Sequence, residues 1–571
     1  GMHAMNTARA PYYKVRQFDI YYMLGADPNN KMLIFNGAKY SNDYGLGTDV
    51  NKAYTTLMNL INDLENRRGR GANPEFPYDK FAMSIVPFGD NQGPYEKHII
   101  VANELNAKWH EDGKYIYPRI KTAFPQEFFE AVESEYGDLI PTEIGTEENW
   151  WNDGIGTTAY ESGIAKESEK LIPVAETTAS LASALQGTAY PYEDLAEAVH
   201  RSMLYNEHTW GASSYNGSSN YHDQFEWKRS NAFGAKALAD KVLTDSLKQL
   251  SSQVHTEGQG IYVYNPLNWV RDDVVTVADV SELPEHFVIR DGAVSVPYTM
   301  KDGVLTFVAN DVPALGYKTF TIESAAEAPS FAPQVVAGDH TIENAYYKVT
   351  FAADGTISSI IDKQNGNREI VDQSAPVSFN QYQYYDDFGI PLNNEGVEFS
   401  ADKWKLYTPK ANAGKLDIQA NGYSAVASLN TSTFRASSIR QEVTLYNDIP
   451  RIDIRNVVVK ESVPTLSSKE EAFYSFPFKT SGNNYEIRYD LPMGNTAEGE
   501  QVYGTSTDWY TANKWVNVKD KNDNYNMTLA IPNTSLLQFG ERRTGSWSFD
   551  YRSEKSYIYS YVMNNMWGTN F

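Results

Sequence analysis

At 571 residues the chain is too long for one hydrophobic core, since single cores stop growing near roughly 250–300 residues, so several domains are expected. A net charge of -24 and an isoelectric point near 4.9 repel phosphate backbones and anionic lipid, which argues against nucleic acid and membrane surfaces as partners. The absence of Cys excludes disulfides, thiolate metal sites and a Cys nucleophile, and no apolar run approaches the roughly 18–20 residues of a bilayer span.

Three textures follow one another along the chain. Residues 1–145 mix short β runs (Met32 to Phe35, Ala82 to Val86) with helices at Asp49 to Arg67 and Pro125 to Tyr136, the latter opened by a Pro suited to a first turn. That alternation predicts part of a parallel α/β barrel. From 146 to 256 the period is helical. Ala235, Leu238, Val242, Leu247 and Leu250 form one apolar stripe, and Pro173 is expected to kink or restart a helix running from Tyr160 to Leu185. From 257 to 322 the strands Ile261 to Tyr264, Val274 to Val277, Val304 to Val308 and Tyr317 to Ile322 predict a small β-sandwich. Glu323 to Pro333 reads as a linker. Residues 335–571 predict a large β-sandwich, with a hairpin turning at Asp354-Gly355 between Tyr346 to Phe351 and Ile357 to Ile361, and strand alternation at Ile452, Ile454 and at Tyr485, Ile487, Tyr489. The expected fold class is thus multidomain α+β: a partial α/β barrel, a helical bundle, a small β-sandwich and a large β super-sandwich.

Two motifs carry chemistry. Trp150-Trp151-Asn152-Asp153-Gly154 places adjacent indoles beside an amide and a carboxylate. A sugar ring suits such a set, with an apolar face for an indole and a hydroxyl rim for polar groups. Some fifty residues later comes Asn206-Glu207-His208-Thr209-Trp210-Gly211, where an imidazole flanked by polar side chains is a candidate metal ligand. Of two such adjacent indoles one is expected to face the sugar and the other the core, because neighbouring residues of an extended chain point opposite ways.

The stretch from Glu148 through Tyr160 to Glu176 resembles the segment that opens the helical domain of glycoside hydrolase family 38, the retaining, zinc-dependent α-mannosidases. By that resemblance Trp151 stacks on the mannose, and His208 takes the place of the last zinc ligand, its run reading Glu207-His208-Thr209 in the form of a bacterial branch. Val86-Pro87-Phe88-Gly89-Asp90-Asn91 resembles the strand end that carries the general acid, whose slot falls on Asp90 or Asn91. Tyr264 to Trp269 and Val312 to Tyr317 resemble the edges of the family's first β-domain, and Asn564 to Phe571 a signature of its large, mutarotase-like β-domain. The resemblance implies a retaining glycosidase acting on α-linked mannose or related sugars, with zinc as cofactor and Asp153, Thr209 and Trp210 as further substrate contacts. It also implies a His-x-Asp zinc pair and a nucleophilic Asp. His110-Glu111-Asp112 is the one such spacing in the chain, and it reads as a solvated turn. The chain is therefore expected to lack most of the catalytic barrel and the closing strands. A missing amino-terminal fragment or a second copy is the expected covering partner, and a periplasmic or secreted location is favoured over a cytoplasmic one.

Each assignment has a plainer competitor. On spacing alone His208 reads as a hydrogen-bonded histidine at a helix end, and Trp151 as a core anchor. Asp90 after Gly89 is also an ordinary turn or N-cap. Tyr221-His222-Asp223 reads as part of a polar loop before the last helix, and Asp386-Asp387 as an acidic turn. The competing function is a non-catalytic carbohydrate-binding or scaffolding protein that keeps the aromatic platform and the β-domains.

Overall fold

The computed structural model describes residues 19–24, 29–36, 49–67, 96–108, 110–111, 113–115, 119–143, 145–146, 148, 150–207, 220–387, 404–410, 415–461, 469–492, 494–502, 505–544, 546 and 548–565. It is mostly sheet, in several units, with six α-helices among the described residues.

In the first unit the strands Asp19–Leu24 and Lys31–Asn36 pair antiparallel, and Thr142–Glu143 adds to the first in parallel. A parallel sense was expected throughout, but residues 25–30 are too short a connection for a crossover, which needs a dozen or more. Helix α1 (Val50–Arg67) starts where predicted, with Asp49 Oδ1 accepting from the Asn51 and Lys52 amides at 3.0 and 2.9 Å, an N-cap. Helix α2 is Lys97–Lys108, and α3 is Pro125–Tyr136 with Pro at its start. The small sheet rests on the large β-domain: Tyr21 and Ile34 pack with Val502.

Helices α4 (Ala159–Gln186), α5 (Tyr192–Tyr205) and α6 (Asn220–Ser251) pack side by side. Small side chains let them approach: Ala165, Ala175 and Ala179 of α4 meet Ala232 and Val242 of α6. The predicted stripe on α6 is correct at Ala235, Val242 and Leu250, while Ala232 and Ala239 are buried where Leu238 and Leu247 are only half-buried. Pro173 does not restart α4, which runs through it as one helix.

The next unit encloses Phe287, Ile289, Leu305, Phe307 and Phe320 between two sheets. Asn265, 2% exposed, knits the two stretches Tyr264 to Trp269 and Val312 to Tyr317, its Nδ2 donating to the carbonyls of Trp269, Val312 and Pro313 at 2.7, 3.2 and 3.1 Å.

In the large β-domain a six-stranded sheet is ordered Lys405–Tyr407, Gln381–Asp387, Lys469–Pro477, Tyr557–Asn565, Leu536–Phe539, Tyr510–Thr511. One face, with Tyr382, Tyr474 and Phe476, builds a core shared with the remaining sheets. The hairpin of Tyr347–Phe351 and Ile357–Asp362 turns at Asp354-Gly355, where Asp354 Oδ1 accepts from the Thr356 amide and hydroxyl at 3.0 and 2.6 Å. No helix among the described residues is long and apolar enough to cross a membrane.

Gly355 has φ +81°, and a Cβ there would lie 2.1 Å from Leu429 Cδ2, whereas Gly292, at φ +57°, has open space around it. Gly355→Ala should therefore lower Tm by more than Gly292→Ala, which meets only the left-handed backbone cost of about 1–2 kcal/mol. Equal losses in a thermal melt would show that the Gly355 turn repacks without cost.

Candidate functional site

The segment Trp150–Gly156, a 3-10 helix, is seated against the large β-domain from both ends. Just before it, Glu148 is 3% exposed. The Thr511 amide donates to both of its oxygens at 3.2 Å, and the Thr511 hydroxyl to Oε2 at 2.8 Å. Tyr489 Oη donates to Oε1 at 3.1 Å, and Asn152 Nδ2 to Oε2 at 3.3 Å. Asn152 Nδ2 also donates to Thr511 Oγ1 at 2.9 Å. At the other end, Ile155 packs with Phe473, Trp509 and Tyr561, and a Cβ on Gly156 would meet Asn564 Nδ2 at 2.6 Å. Trp151 and Asp153 lie within this seated backbone; their side chains are outside the described residues, as is that of Trp150.

The second motif leaves the end of α5 beside the first. Tyr205 Oη lies 3.0 Å from Thr158 Oγ1 and 2.9 Å from Ser162 Oγ, so the last turn of α5 is bound to the start of α4, directly after Gly156. Lys228, 5% exposed at its side chain, donates to the Leu204 and Tyr205 carbonyls at 2.9 and 3.3 Å and to Glu207 Oε2 at 2.9 Å. A lysine at a helix C-terminus satisfies the free carbonyls there and suits the dipole. The Glu207 carboxylate is thereby committed to Lys228. His208, Thr209 and Trp210 lie outside the described residues, and so do Asp90 and Asn91.

The outer face of the six-stranded sheet, where Ile155 packs, also carries a polar and aromatic group that the sequence reading missed. Glu471, wholly buried, accepts from Arg542 Nε, from Thr544 Oγ1 at 2.7 Å and from Tyr561 Oη at 3.2 Å. The Arg542 guanidinium is 4.5 Å from the ring centroids of both Tyr385 and Trp404, close enough for cation–π attraction. Its Nη2 is buried without a hydrogen-bond partner among the described residues. The signal that could have found this group is the pair Glu470-Glu471 opening an apolar strand, since charges in such a run need buried partners.

Other candidates resolve simply. His110-Glu111 pairs with Lys114–Tyr115, and His110, Gly113 and Lys114 are exposed, as expected of a solvated segment. His222 and Asp223 are exposed on the first turn of α6 rather than in a preceding loop. Asp386 is not in a turn: it lies within the strand Gln381–Asp387, fully buried, 3.8 Å from Arg435. Among the described residues no group of three His, Cys, Asp or Glu is placed to hold a metal.

Burial pushes the Glu148 carboxyl up to about 7 although its four donors pull it down. Across the same interface Lys166 donates to the Ala512 and Asn513 carbonyls, and burial lowers its ammonium to about 8. The folded chain holds the Glu148 proton up to about pH 7, whereas an unfolded chain releases it near pH 4.5. Its contribution to stability is therefore complete below about pH 4.5 and is lost as pH rises through 7. The Tm advantage of the wild type over Glu148→Gln should shrink between pH 5 and 8. A difference independent of pH would mean that Glu148 titrates as a solvated carboxyl.

Residues 342–535 match the Glycosyl hydrolases family 38 C-terminal domain. The fold is similar to the crystal structure of an alpha-mannosidase from Enterococcus faecalis V583, with a TM-score of 0.68 and 14% identity over 95% of this chain and 65% of that one. It is also similar to a protein in the Glycosyl Hydrolase Family 38 from Enterococcus faecalis, with a TM-score of 0.63, 13% identity and the same coverage, 95% and 65%. The chain thus spans 65% of the length of these two structures. No curated protein matches the sequence. The sequence match to family 38 is thus to its C-terminal domain and lies in residues 342–535.

Proposed function

We propose that the chain serves a glycoside hydrolase of the retaining α-mannosidase type, acting on α-linked mannose or related sugars. The observation that carries this reading is the junction at Tyr205: it brings the end of α5, which leads into His208, against the start of α4, which follows Trp150–Gly156. Two motifs some fifty residues apart thus share one end of the helices, and the face bearing Arg542 and Tyr385 lies beside them through Ile155. In this reading Trp151 stacks on the sugar, Asp153, Thr209 and Trp210 meet its hydroxyls, and Asp90 or Asn91 fills the acid slot. The first unit is read as part of an α/β barrel.

A retaining glycosidase needs two carboxyl groups about 5–5.5 Å apart, one to attack and one to protonate the leaving oxygen. Neither Glu148 nor Glu471 fits: both are buried and their oxygens are taken up by neighbouring donors. The described residues do not make a zinc site either, since Glu207 is held by Lys228 and no other group qualifies. In this reading the chain contributes His208 as a zinc ligand.

In a protein that also carries the upstream barrel segment, His208→Ala should lower the zinc retained after dialysis, measured by elemental analysis, and cut hydrolysis of an aryl α-mannoside by orders of magnitude, whereas the present chain alone should hold little zinc; unchanged zinc in that variant would remove the ligand assignment. Trp151→Ala should weaken monosaccharide binding by about 1–3 kcal/mol, the scale of an aromatic face, with the circular dichroism unchanged. Binding of mannosides by the wild type without any turnover would favour the carbohydrate-binding alternative.

A further inference from the structure

We propose that Glu148 is a positioning residue: by its bonds to the large β-domain it sets the placement of the Trp150–Gly156 segment that follows it, and with it that of Trp151. The assignment of Trp151 to a sugar rests on the function proposed above; the placement itself does not. Four features point to this role. Glu148 and Asn152 sit four residues apart, on either side of Trp151, and both engage the same Thr511 hydroxyl. That hydroxyl donates to Glu148 and accepts from Asn152, so one side chain of the β-domain fixes both. Glu148 also bridges two sheets, because Thr511 belongs to the edge strand Tyr510–Thr511 of the six-stranded sheet while Tyr489 belongs to the strand Tyr485–Leu491 of a four-stranded one. Finally, the donors are directional and come from three residues, which suits precise placement: burying a carboxylate costs stability that a well-packed apolar residue of similar volume would not. A buried polar group at such a place gains geometry, and the geometry is that of the segment next to it.

The segment is held independently at its far end by Ile155 and Gly156, so loss of the Glu148 contacts should let its first turn move without detaching it. Thr511→Val removes the shared hydroxyl with little change of shape, Glu148→Gln replaces an acceptor by a donor facing the Thr511 amide, and Thr511→Ser keeps the hydroxyl. The test uses the full chain labelled with 5-fluorotryptophan, the Trp151 resonance being assigned by its disappearance in Trp151→Phe. In Thr511→Val and Glu148→Gln the Trp151 fluorine signal should shift or broaden with no sugar present, the signal of the distant, 57% exposed Trp269 should stay in place, and Thr511→Ser should restore the wild-type spectrum. Titration with methyl α-mannoside should then show a several-fold weaker Kd in Thr511→Val, and no further weakening when Thr511→Val is added to Trp151→Ala, as coupled residues require. A Trp151 signal unmoved in both variants, with only Tm lowered, would overturn the proposal and leave Glu148 a plain structural contact. A Trp151 signal that responds in a protein binding no mannoside would uphold the placement role and overturn the α-mannosidase reading instead.

Discussion

Every residue of the strand Lys469–Pro477 is buried, and this burial of both faces of one sheet is the constraint on which the arrangement of the molecule depends. Ala472, Tyr474 and Phe476 point into the core of the large β-domain, while Phe473 faces the other way, among Trp509, Tyr559 and Tyr561. An apolar outer face has to be covered by another layer. The covering comes from Ile155 and the start of the helices, so the same contact that buries Phe473 also fixes the segment bearing Trp151. The charges that open the strand are paired for the same reason. Glu470 meets Lys460 at 3.0 Å and Tyr384 at 2.5 Å, and Glu471 meets Arg542, since an unpaired buried charge would cost several kcal/mol.

Around this apolar contact the interface between helices and sheets is polar. Glu148 reaches in from one side and Lys166 from the other, each matched to backbone groups of Thr511, Ala512 and Asn513. Both side chains are shifted toward their neutral forms, one upward and one downward, by the same loss of water. Such an interface is specific more than it is strong. It resists sliding, because a displacement of one residue would leave several buried groups without partners.

Much of the fold was legible in the sequence where local rules decide it. Asp49 capped α1, Pro125 opened α3, and Asp354-Gly355 turned a hairpin, each for reasons contained in a few neighbouring residues. Pro173 misled, because the packing of α4 along α6 holds one helix through a residue that would break an isolated one. His222 misled in the opposite sense, since a run rich in Gly, Ser and Asn hid the start of α6. At the candidate site the sequence supplied the segment but not its support. Trp151 could be picked out from its neighbours; Thr511, Tyr489 and Arg542 could not, for nothing near them in the chain refers to residue 150. Asp386 shows the same limit, its charge being met by Arg435 from the turn between two strands of another sheet rather than by the Tyr-rich run that precedes it.

The separation between Glu148 and Thr511 is 363 residues, and it bears on the order in which the molecule takes shape. Closing so long a loop is entropically unfavourable until both ends belong to compact pieces, and contacts of high sequence separation form slowly. The helices can pair locally, and the hairpins of the large β-domain can zip up locally. Thr511, however, sits on a strand whose partners extend to the Tyr557–Asn565 strand. The seat of Trp150–Gly156 therefore cannot exist until the strands through Tyr557–Asn565 have been synthesised and folded, and during translation the segment would wait, unsupported, for strands made long after it.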